Sequence, residues 1–569
     1  MKKLLVLVAL LILGVMPAAA IPVDDLTELA AYYPADTSVF FTLRTDTGYI
    51  ETIDGLIGQI VAAVPGAPKV SLTQELDRMT AEVSDGSFAE TFGPWLGDKA
   101  AFGVVDLAAT ADDDRANDND ALLLVVQITD RAAAVEYLTG VTEDDYEVTE
   151  GSDYTIFRPV DPSENSTPAI AVGDDAIFVG AVAMVLAGVP DPALSGSDDF
   201  AAGIASLPGD DYNILAYVNG AAITDFAAAE IPANSPDAAS LASLQTLERI
   251  AIGFTLIDGR SLTMDLAISV DMEALGAMTG VTDYAMTPID MSFTDHIPAG
   301  TPVVVIATNL RATYENALAS LRAMGAMQGG EDVEDEINKA LQQVNFALRG
   351  LTGLDLEDDV LSWMTGEYAI YLGLTPAVAE ADNLFAALAD GLPVNFGLLI
   401  DASADPDTAA EVVDGIAQAV DFAAAQVEAP TEIAVTDETI GGTDALVITI
   451  TDRSLPFPIE LLVASNDDVF VFGTRGAVRA ALAPDGGLSS DTSFEEALSY
   501  ALPGTNTFAY LAGEGLQPLA NLVATAGGRD AAMQAEILRG VLGLLSSSSV
   551  STTMSDDGTQ VQRWVLTLP

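Results

Sequence analysis

The chain has no cysteine among its 569 residues. Disulfide bonds and thiolate metal sites are therefore excluded. A lipid anchor is excluded as well, because no cysteine follows the apolar run near the N-terminus. If the protein is exported, its stability outside the cytoplasm must come from packing and hydrogen bonds alone.

Histidine is almost as scarce, because His296 is the single histidine of the chain. A Ser-His-Asp or Cys-His catalytic arrangement would depend entirely on this residue, and a catalytic zinc usually takes two or three His or Cys ligands. His296 precedes Ile297-Pro298 at a predicted domain junction, so we interpret it as a loop residue. Neither glycine-rich phosphate-binding pattern occurs. These absences disfavour histidine-dependent, zinc-dependent and nucleotide-dependent enzymes.

Positive charge is also rare: 21 Lys and Arg stand against 85 Asp and Glu, which gives a formal net charge of −64. Such a surface repels nucleic acid and anionic lipid headgroups, so we expect no nucleic-acid partner. An acidic surface keeps an apolar exported protein soluble, and a saline habitat screens the repulsion among its carboxylates. We prefer these two explanations to a dedicated cation-binding role.

Residues 1–20 have the pattern of a signal peptide. Lys2 and Lys3 precede an apolar run from Leu4 to Val15, and small residues follow at 18–20. The alternative is an uncleaved N-terminal anchor. No later run is apolar for long enough to span a bilayer, so we expect no membrane span after cleavage. The expected location is extracellular, or in the periplasm or cell envelope.

The most informative feature present is a set of landmarks that occurs twice in the same order. The pairs are Pro34 and Pro298, Trp95 and Trp363, Asp98 and Glu367, Asp174-Asp175 and Asp467-Asp468, Asp258-Gly259 and Asp557-Gly558. Their separation grows from 264 residues for the prolines to 299 for the Asp-Gly pairs, as loop insertions in a second copy would produce. We therefore predict a first repeat over 21–285 and a second over 286–569.

Each predicted repeat mixes helices and strands. Each begins with a short helix that stops at a proline, because proline disfavours helix at the residue before it. Each ends in a hairpin around Asp-Gly, which is a strong hairpin signal between apolar runs. The predicted hairpin strands are Arg249–Ile257 with Ser261–Val270 and Val550–Met554 with Val561–Leu568. The predicted class is α+β, with a largely antiparallel sheet packed with helices in each repeat.

Two motifs resemble a known family. Tyr33-Pro-Ala-Asp-Thr37 lies near the predicted mature N-terminus, and Pro94-Trp-Leu-Gly-Asp98 leads into a strand. Together they resemble the bacterial domain-of-unknown-function family 3352, best over about residues 30–200 and more loosely in the second half. The second copy departs from this pattern by placing Met364 and Thr365 between its tryptophan and glycine. The resemblance implies an exported or membrane-anchored protein and brings no catalytic residues, since that family has no established activity.

The only concentrated candidate for a metal site is the acidic run at 112–120. Its carboxylates at Asp112, Asp114, Asp118 and Asp120 could supply oxygen ligands to calcium. The calcium-loop pattern fails, however, because no glycine occupies its sixth position and no glutamate its twelfth. We therefore prefer a solvated loop between two strands, and we expect no cofactor other than this possible calcium.

Three hypotheses follow for function. The first is an exported, non-catalytic protein of the cell envelope that binds or scaffolds an unknown protein or envelope ligand. The second is an exported hydrolase that uses Asp and Glu carboxylates, which sequence alone cannot pair. The third is a calcium-dependent interaction module. The residue types favour the first over an enzyme, and we interpret Trp95 and Trp363 as core anchors rather than ligand-stacking residues.

The solvated-loop interpretation predicts no specific stabilisation by calcium. Thermal unfolding in calcium and in magnesium at matched ionic strength should give the same midpoint, because both ions only screen the acidic surface. A higher midpoint in calcium alone would support the calcium module instead, since a ligand that binds only the folded state raises its stability.

Overall fold

The computed structural model describes residues 20–569 except for 64–70, 82–83, 85, 108–120, 143–144, 161–166, 232–240, 242–243, 258, 280–286, 330, 376–377, 379–391, 428–429, 455–456, 485, 526–528 and 556. The chain divides into two compact units. Unit 1 takes in 1–62, 66–275 and 555–561, and unit 2 takes in 63–65, 276–554 and 562–569.

The described part of unit 1 is built on an antiparallel sheet. Its strands are β1 (Ile21–Pro22), β2 (Val39–Arg44), β3 (Leu96–Val104), β4 (Leu122–Ile128), β5 (Tyr146–Glu150), β6 (Thr155–Pro159), β7 (Ala169–Val172), β8 (Ala176–Gly180), β9 (Asp211–Tyr212), β10 (Ile214–Asn219), β11 (Leu247–Ile257) and β12 (Ser261–Val270). The order across the sheet is β12-β11-β10-β2-β3-β4-β8-β7-β6-β5. The short strands β1 and β9 form a separate antiparallel pair.

Helices pack on this sheet and close the core of unit 1. They are α1 (Val23–Thr27), α2 (Thr47–Ala63), α3 (Leu72–Thr80), α4 (Phe88–Phe92), α5 (Arg131–Thr142), α6 (Val182–Ala187), α7 (Asp198–Ala205) and α8 (Gly220–Glu230), with 3-10 turns at Glu28–Tyr32 and Leu194–Gly196. Helix α9 (Met272–Thr279) begins in unit 1 and ends in unit 2. Helix α4 begins at a capping box in which Ser87 and Glu90 bond each other's backbone N–H groups.

Unit 2 has its own antiparallel strands. They are β13 (Val303–Thr308), β14 (Glu367–Leu374), β15 (Val394–Asp401), β16 (Thr431–Ile440), β17 (Thr443–Asp452), β18 (Ile459–Ser465), β19 (Val469–Gly473), β20 (Thr507–Ala512), β21 (Ser547–Met554) and β22 (Thr559–Thr567), the last of which crosses the division between the units. The order from β21 is β21-β20-β13-β14-β15-β19-β18-β17-β16.

The helices of unit 2 are longer on average than those of unit 1. They are α10 (Leu310–Gly329), α11 (Glu331–Thr352), α12 (Pro406–Gln426), α13 (Arg475–Leu482), α14 (Thr492–Ser499), α15 (Gly513–Thr525) and α16 (Arg529–Gly543), with 3-10 turns at Ser292–His296 and Leu488–Ser490 and a π turn at Leu356–Val360. No helix in the described part of the chain is long and apolar enough to cross a bilayer.

These observations confirm the predicted α+β class with a large antiparallel sheet and packed helices. Both tryptophans are buried in their cores, as predicted. Trp95 stacks edge-on against Phe92 with ring centres 5.5 Å apart, and Trp363 lies 5.6 Å from Phe470. The tryptophans therefore anchor packing within each unit.

The predicted strand Val550–Met554 is too short, because β21 begins at Ser547. The serines at 547, 549 and 551 alternate inward and are buried. The Ser551 hydroxyl accepts a hydrogen bond from the backbone N–H of Leu502 at 3.0 Å. A run of serines lacks the apolar alternation that marks a strand, so this extension has no hydrophobic signal in the sequence.

In each unit, the segment that leads into the first long strand ends at a proline, which forms an isolated β-bridge. Pro34 pairs with Ala193, and Pro298 pairs with Gly487. In unit 1 the backbone N–H of Leu194 donates to the Tyr33 carbonyl at 2.7 Å. In unit 2 the N–H of Leu488 donates to the Ile297 carbonyl at 2.9 Å. The incoming segment is thus bonded to a 3-10 turn that is distant in sequence.

Tyr33 gives a sharp test of this packing, because its ring lies directly against Gly103 on β3. A Cβ at position 103 would overlap the ring, so we expect Gly103→Ala to lower the free energy of unfolding of unit 1 by about 2 kcal/mol. The matched control is Gly140→Ala in α5, where nothing lies within 4 Å of the new Cβ.

The control should stabilise slightly, by about 0.5–1 kcal/mol, because alanine is the better helix former. Urea denaturation of both variants measures the difference. Equal stability of the two variants would contradict the close approach of Tyr33 to β3.

Candidate functional site

The acidic run that formed the candidate metal site lies outside the described residues. Asp112, Asp114, Asp118 and Asp120 all fall within 108–120. Within the residues that the structure does describe, no group of three or more His, Asp or Glu side chains is placed to hold a metal ion.

His296 lies at the end of the 3-10 turn Ser292–His296 and is half-buried. Its Nδ1 atom lies 2.8 Å from the carbonyl oxygen of Ala481. A carbonyl can only accept, so Nδ1 carries the proton in this arrangement. The ring also packs against Phe293, with centres 5.9 Å apart. His296 therefore ties the first segment of unit 2 to the C-terminal end of α13.

Glu367, one of the tryptophan-motif residues, is a buried carboxyl group. Its Oε2 accepts the backbone N–H groups of Asp290 at 3.0 Å and Met291 at 3.1 Å. Its Oε1 accepts that of Phe293 at 3.3 Å. Met291 has a φ of +63°, a conformation that is costly for a side chain of its size. The three bonds hold this backbone in place.

Asp290 and Glu367 also bond each other through their side chains. The pKa of Glu367 is raised to about 7, mainly by burial and further by the hydrogen bond and charge of Asp290. The hydrogen bonds from the backbone N–H groups lower this pKa and offset part of the rise. The bond to Glu367 lowers the pKa of Asp290. Below pH 7 Glu367 is therefore the protonated donor and Asp290 the ionised acceptor.

Lys99 on β3 is a buried charged residue of unit 1, with 5 % of its surface exposed. Its Nζ atom donates to the carbonyl oxygen of Asp25 at 3.1 Å and to Glu28 Oε2 at 2.6 Å. Both acceptors lie on the segment that precedes β2. Like Glu367, Lys99 fastens the first segment of its unit to the strand that follows the tryptophan.

An apolar pocket in unit 1 is the feature best suited to hold a ligand. It has a volume of about 100 Å³ and is lined by side chains from β8, α6 and the loops around them, including Tyr32, Pro34, Tyr154, Phe178, Met184 and Pro190. A cavity on the order of 150 Å³ with apolar walls holds a benzene-sized molecule. None of the eleven described residues that line the pocket carries a formal charge at neutral pH.

Three aromatic rings form the wall of this pocket. Tyr32 meets Phe178 edge to face with ring centres 5.0 Å apart. Tyr154 meets the same phenylalanine at 5.8 Å and 79°. Phe178 is held by the pairing of β8 with β4 and β7, so the central ring is fixed by the sheet. Tyr32 ends a 3-10 turn and Tyr154 directly precedes β6.

Helix α6 ends at the pocket. This helix has six residues and ends at Gly188, whose φ of +77° is a left-handed conformation that suits glycine. The chain then continues through Val189 to Pro190 at the pocket. Sequence reasoning missed this site, because its three rings come from separate segments that only the sheet order brings together.

The Glu367–Asp290 pair predicts a specific pH dependence for unit 2. The pKa of Glu367 is higher in the folded state than its ordinary value of 4.5, so its stabilising contribution is complete below pH 4.5 and is lost as the pH rises through 7. The loss should be about 2 kcal/mol, since one pKa unit is about 1.4 kcal/mol and the coupling to Asp290 offsets part of the shift.

Glu367→Gln keeps a donor for Asp290 and an acceptor for the backbone but does not titrate. Its free energy of unfolding, compared with wild type, should therefore rise between pH 5 and pH 8. Urea denaturation at several pH values measures this difference, and Glu432→Gln on the exposed side of β16 is the control. Parallel pH profiles for wild type and Glu367→Gln would contradict the assignment.

Comparison with known proteins adds one finding. A family model described as "Protein of unknown function (DUF3352)" matches residues 4–568, which is nearly the whole chain. No curated protein matches the chain, and no solved structure matches it. The resemblance drawn from the two motifs is thus confirmed, and it extends over the second half as well as the first. The chain belongs to the DUF3352 family of proteins of unknown function.

Proposed function

We propose that the chain is a tandem duplication in which one copy binds a ligand and the other has lost its pocket. The strand orders support the duplication. Reading β11-β10-β2-β3-β4-β8-β7-β6-β5 in unit 1 against β21-β20-β13-β14-β15-β19-β18-β17-β16 in unit 2 pairs strands that also follow each other in the same order along the chain.

The registers of these ladders agree residue by residue. Val39 faces Val104, and their equivalents Val303 and Leu372 face each other. The aromatic pairs agree too, since Phe200 lies 5.1 Å from Tyr217 and Phe494 lies 5.1 Å from Tyr510. Chance similarity of two α+β units would not reproduce both register and side-chain pairs.

The ladders change one of the predicted landmark pairs. The sequence matches Asp98 with Glu367, but Arg44 faces Lys99 and its equivalent Thr308 faces Glu367. Lys99 is therefore the equivalent of Glu367. Both residues lie four positions after the tryptophan of their unit, Trp95 or Trp363. The same position thus carries a cation in one unit and a carboxyl group in the other.

The function we propose is non-catalytic binding by an exported protein of the cell envelope. The single observation that carries it is the apolar, aromatic-walled pocket of unit 1. Concave, mainly apolar pockets are the usual form of small-molecule sites. The buried charged groups described above, Lys99 and Glu367, bond segments of the backbone and so hold structure rather than face a reacting group.

The equivalent place in unit 2 is built differently. There α13 has eight residues rather than six, and Ala477, Val478 and Ala481 on it are buried. His296 replaces Tyr32 and bonds the carbonyl oxygen of Ala481. In this proposal unit 1 binds the ligand, whereas the corresponding residues of unit 2 make packing contacts.

Export to the envelope rests on the sequence of residues 1–20, and a scaffolding role is compatible with the same pocket. A hydrolase that uses Asp and Glu gains no support from the described carboxyl groups, and calcium binding depends on a loop outside the described residues. We therefore carry the binding function forward.

The pocket should determine what the protein retains from its own host. Mass spectrometry of small molecules released from the purified protein should find a ligand with wild type and lose it with Met184→Trp, because the indole would fill the pocket. Leu186→Trp is the matched control on the same helix, since Leu186 is 42 % exposed and is not a lining residue.

Equal retention by the two tryptophan variants would contradict the pocket as the binding site. Thermal unfolding of both variants checks that Met184→Trp remains folded, because a large side chain in a packed region can also destabilise the core.

A further inference from the structure

We propose that the pocket of unit 1 recognises a methylated ammonium group, such as the head of a quaternary ammonium compound. This inference rests on the proposed binding function and specifies the class of ligand. It rests on three features of the pocket. These are its aromatic wall, the absence of charged side chains among its described lining residues, and the carboxylates outside the lining.

The aromatic wall provides the attraction. Tyr32, Tyr154 and Phe178 surround one small cavity and pack edge to face. An aromatic face carries negative electrostatic potential, so a cation near several rings gains about 0.5–2 kcal/mol from each when it is desolvated. The thioether of Met184 completes the wall with a polarisable group that adapts to a rounded ligand.

The absence of charged side chains among the described lining residues selects the kind of cation. A primary ammonium has three N–H donors, and burying them without a carboxylate to accept them is costly. A quaternary ammonium has no N–H to satisfy and spreads its charge over methyl groups. The apolar lining therefore favours the methylated form.

Carboxylates outside the lining give the pocket a negative field. The pKa of Tyr32 is raised, first by burial and then by the nearby carboxylates of Asp175 and Glu28. The same field that opposes a tyrosinate at this position opposes an anionic ligand and favours a cation. Direct contact with these carboxylates is not required, because their effect reaches the pocket through space.

Unit 2 lacks this arrangement of rings. By the strand registers, Val471 stands where Phe178 stands, and Thr443 where Tyr154 stands. His296 occupies the place of Tyr32. The expected stoichiometry is therefore one ligand per chain.

The test compares a cation with its neutral isostere. Isothermal titration of the full chain in a background of about 0.15 M NaCl, which screens the acidic surface over about 8 Å, uses choline, ethanolamine and 3,3-dimethyl-1-butanol. In the last compound a carbon replaces the quaternary nitrogen. Choline should bind one to one and about tenfold more tightly than the neutral compound, and ethanolamine should bind more weakly than choline.

Substitutions in the aromatic wall distinguish binding by the rings from attraction to the acidic surface. Phe178→Leu keeps the wall apolar but removes the central ring, so it should weaken choline binding about tenfold. Tyr32→Phe keeps the ring and should retain binding within about threefold. Phe396→Leu is the control, because it breaks an aromatic pair of similar geometry in unit 2, 6.1 Å from Phe472.

Each result decides between the two proposals. If choline and the neutral compound bind equally, the ammonium class is wrong while apolar binding stands. If Phe178→Leu weakens choline binding no more than Phe396→Leu does, the binding is surface attraction and the inference is overturned. If none of the probes binds, but a native ligand is retained and lost in Met184→Trp, only the class is wrong. If none binds and no ligand is retained, the proposed function fails as well.

Discussion

In each unit one buried polar side chain fastens the segment that leads into the sheet, and the candidate site depends on that contact. In unit 1 Lys99 donates to a carbonyl and a carboxylate of the segment 25–28. In unit 2 Glu367 accepts three N–H groups of 290–293. The charges are opposite, but each completes hydrogen bonds that would cost about 1–3 kcal/mol if a buried group were left without its partner. A chain without disulfides needs such contacts to fix a short segment.

The same segment then carries Tyr32 to the pocket. Tyr32 follows four residues after Glu28, at the end of a 3-10 turn, and forms part of the pocket wall. In unit 2 His296 ends the 3-10 turn Ser292–His296, and its ring bonds α13 instead. In unit 1, Lys99 therefore holds the segment whose 3-10 turn places Tyr32 in the pocket wall. A change at Lys99 should be felt at Tyr32 even though Lys99 does not line the pocket.

Much of the fold was predictable because its signals are local. The proline breaks, the buried tryptophans and the hairpin of β11 with β12 follow from short motifs, and the observed hairpin closes between Ile257 and Ser261 as expected. The strand extension at Ser547 was not predictable, since its inward serines are held by hydrogen bonds rather than by apolar burial. The equivalence that we propose for Lys99 and Glu367 is hidden from a comparison of letters, because the two side chains have opposite charge.

The candidate site was not predictable for a different reason. β8 pairs with β4 rather than with β5, and this non-local order is what brings Phe178 near Tyr32. The best site candidate in the sequence is instead the acidic run at 112–120, which we interpret as a solvated loop, because negative charge is visible in a sequence and a cavity is not. In the proposed function, the acidic surface and the pocket have different roles. A net charge of −64 raises the local concentration of every cation, so it cannot select among them. Calcium requires several oxygen ligands, whereas the pocket presents rings and aliphatic groups. Selection must then come from the pocket, which favours a cation that loses little by leaving water.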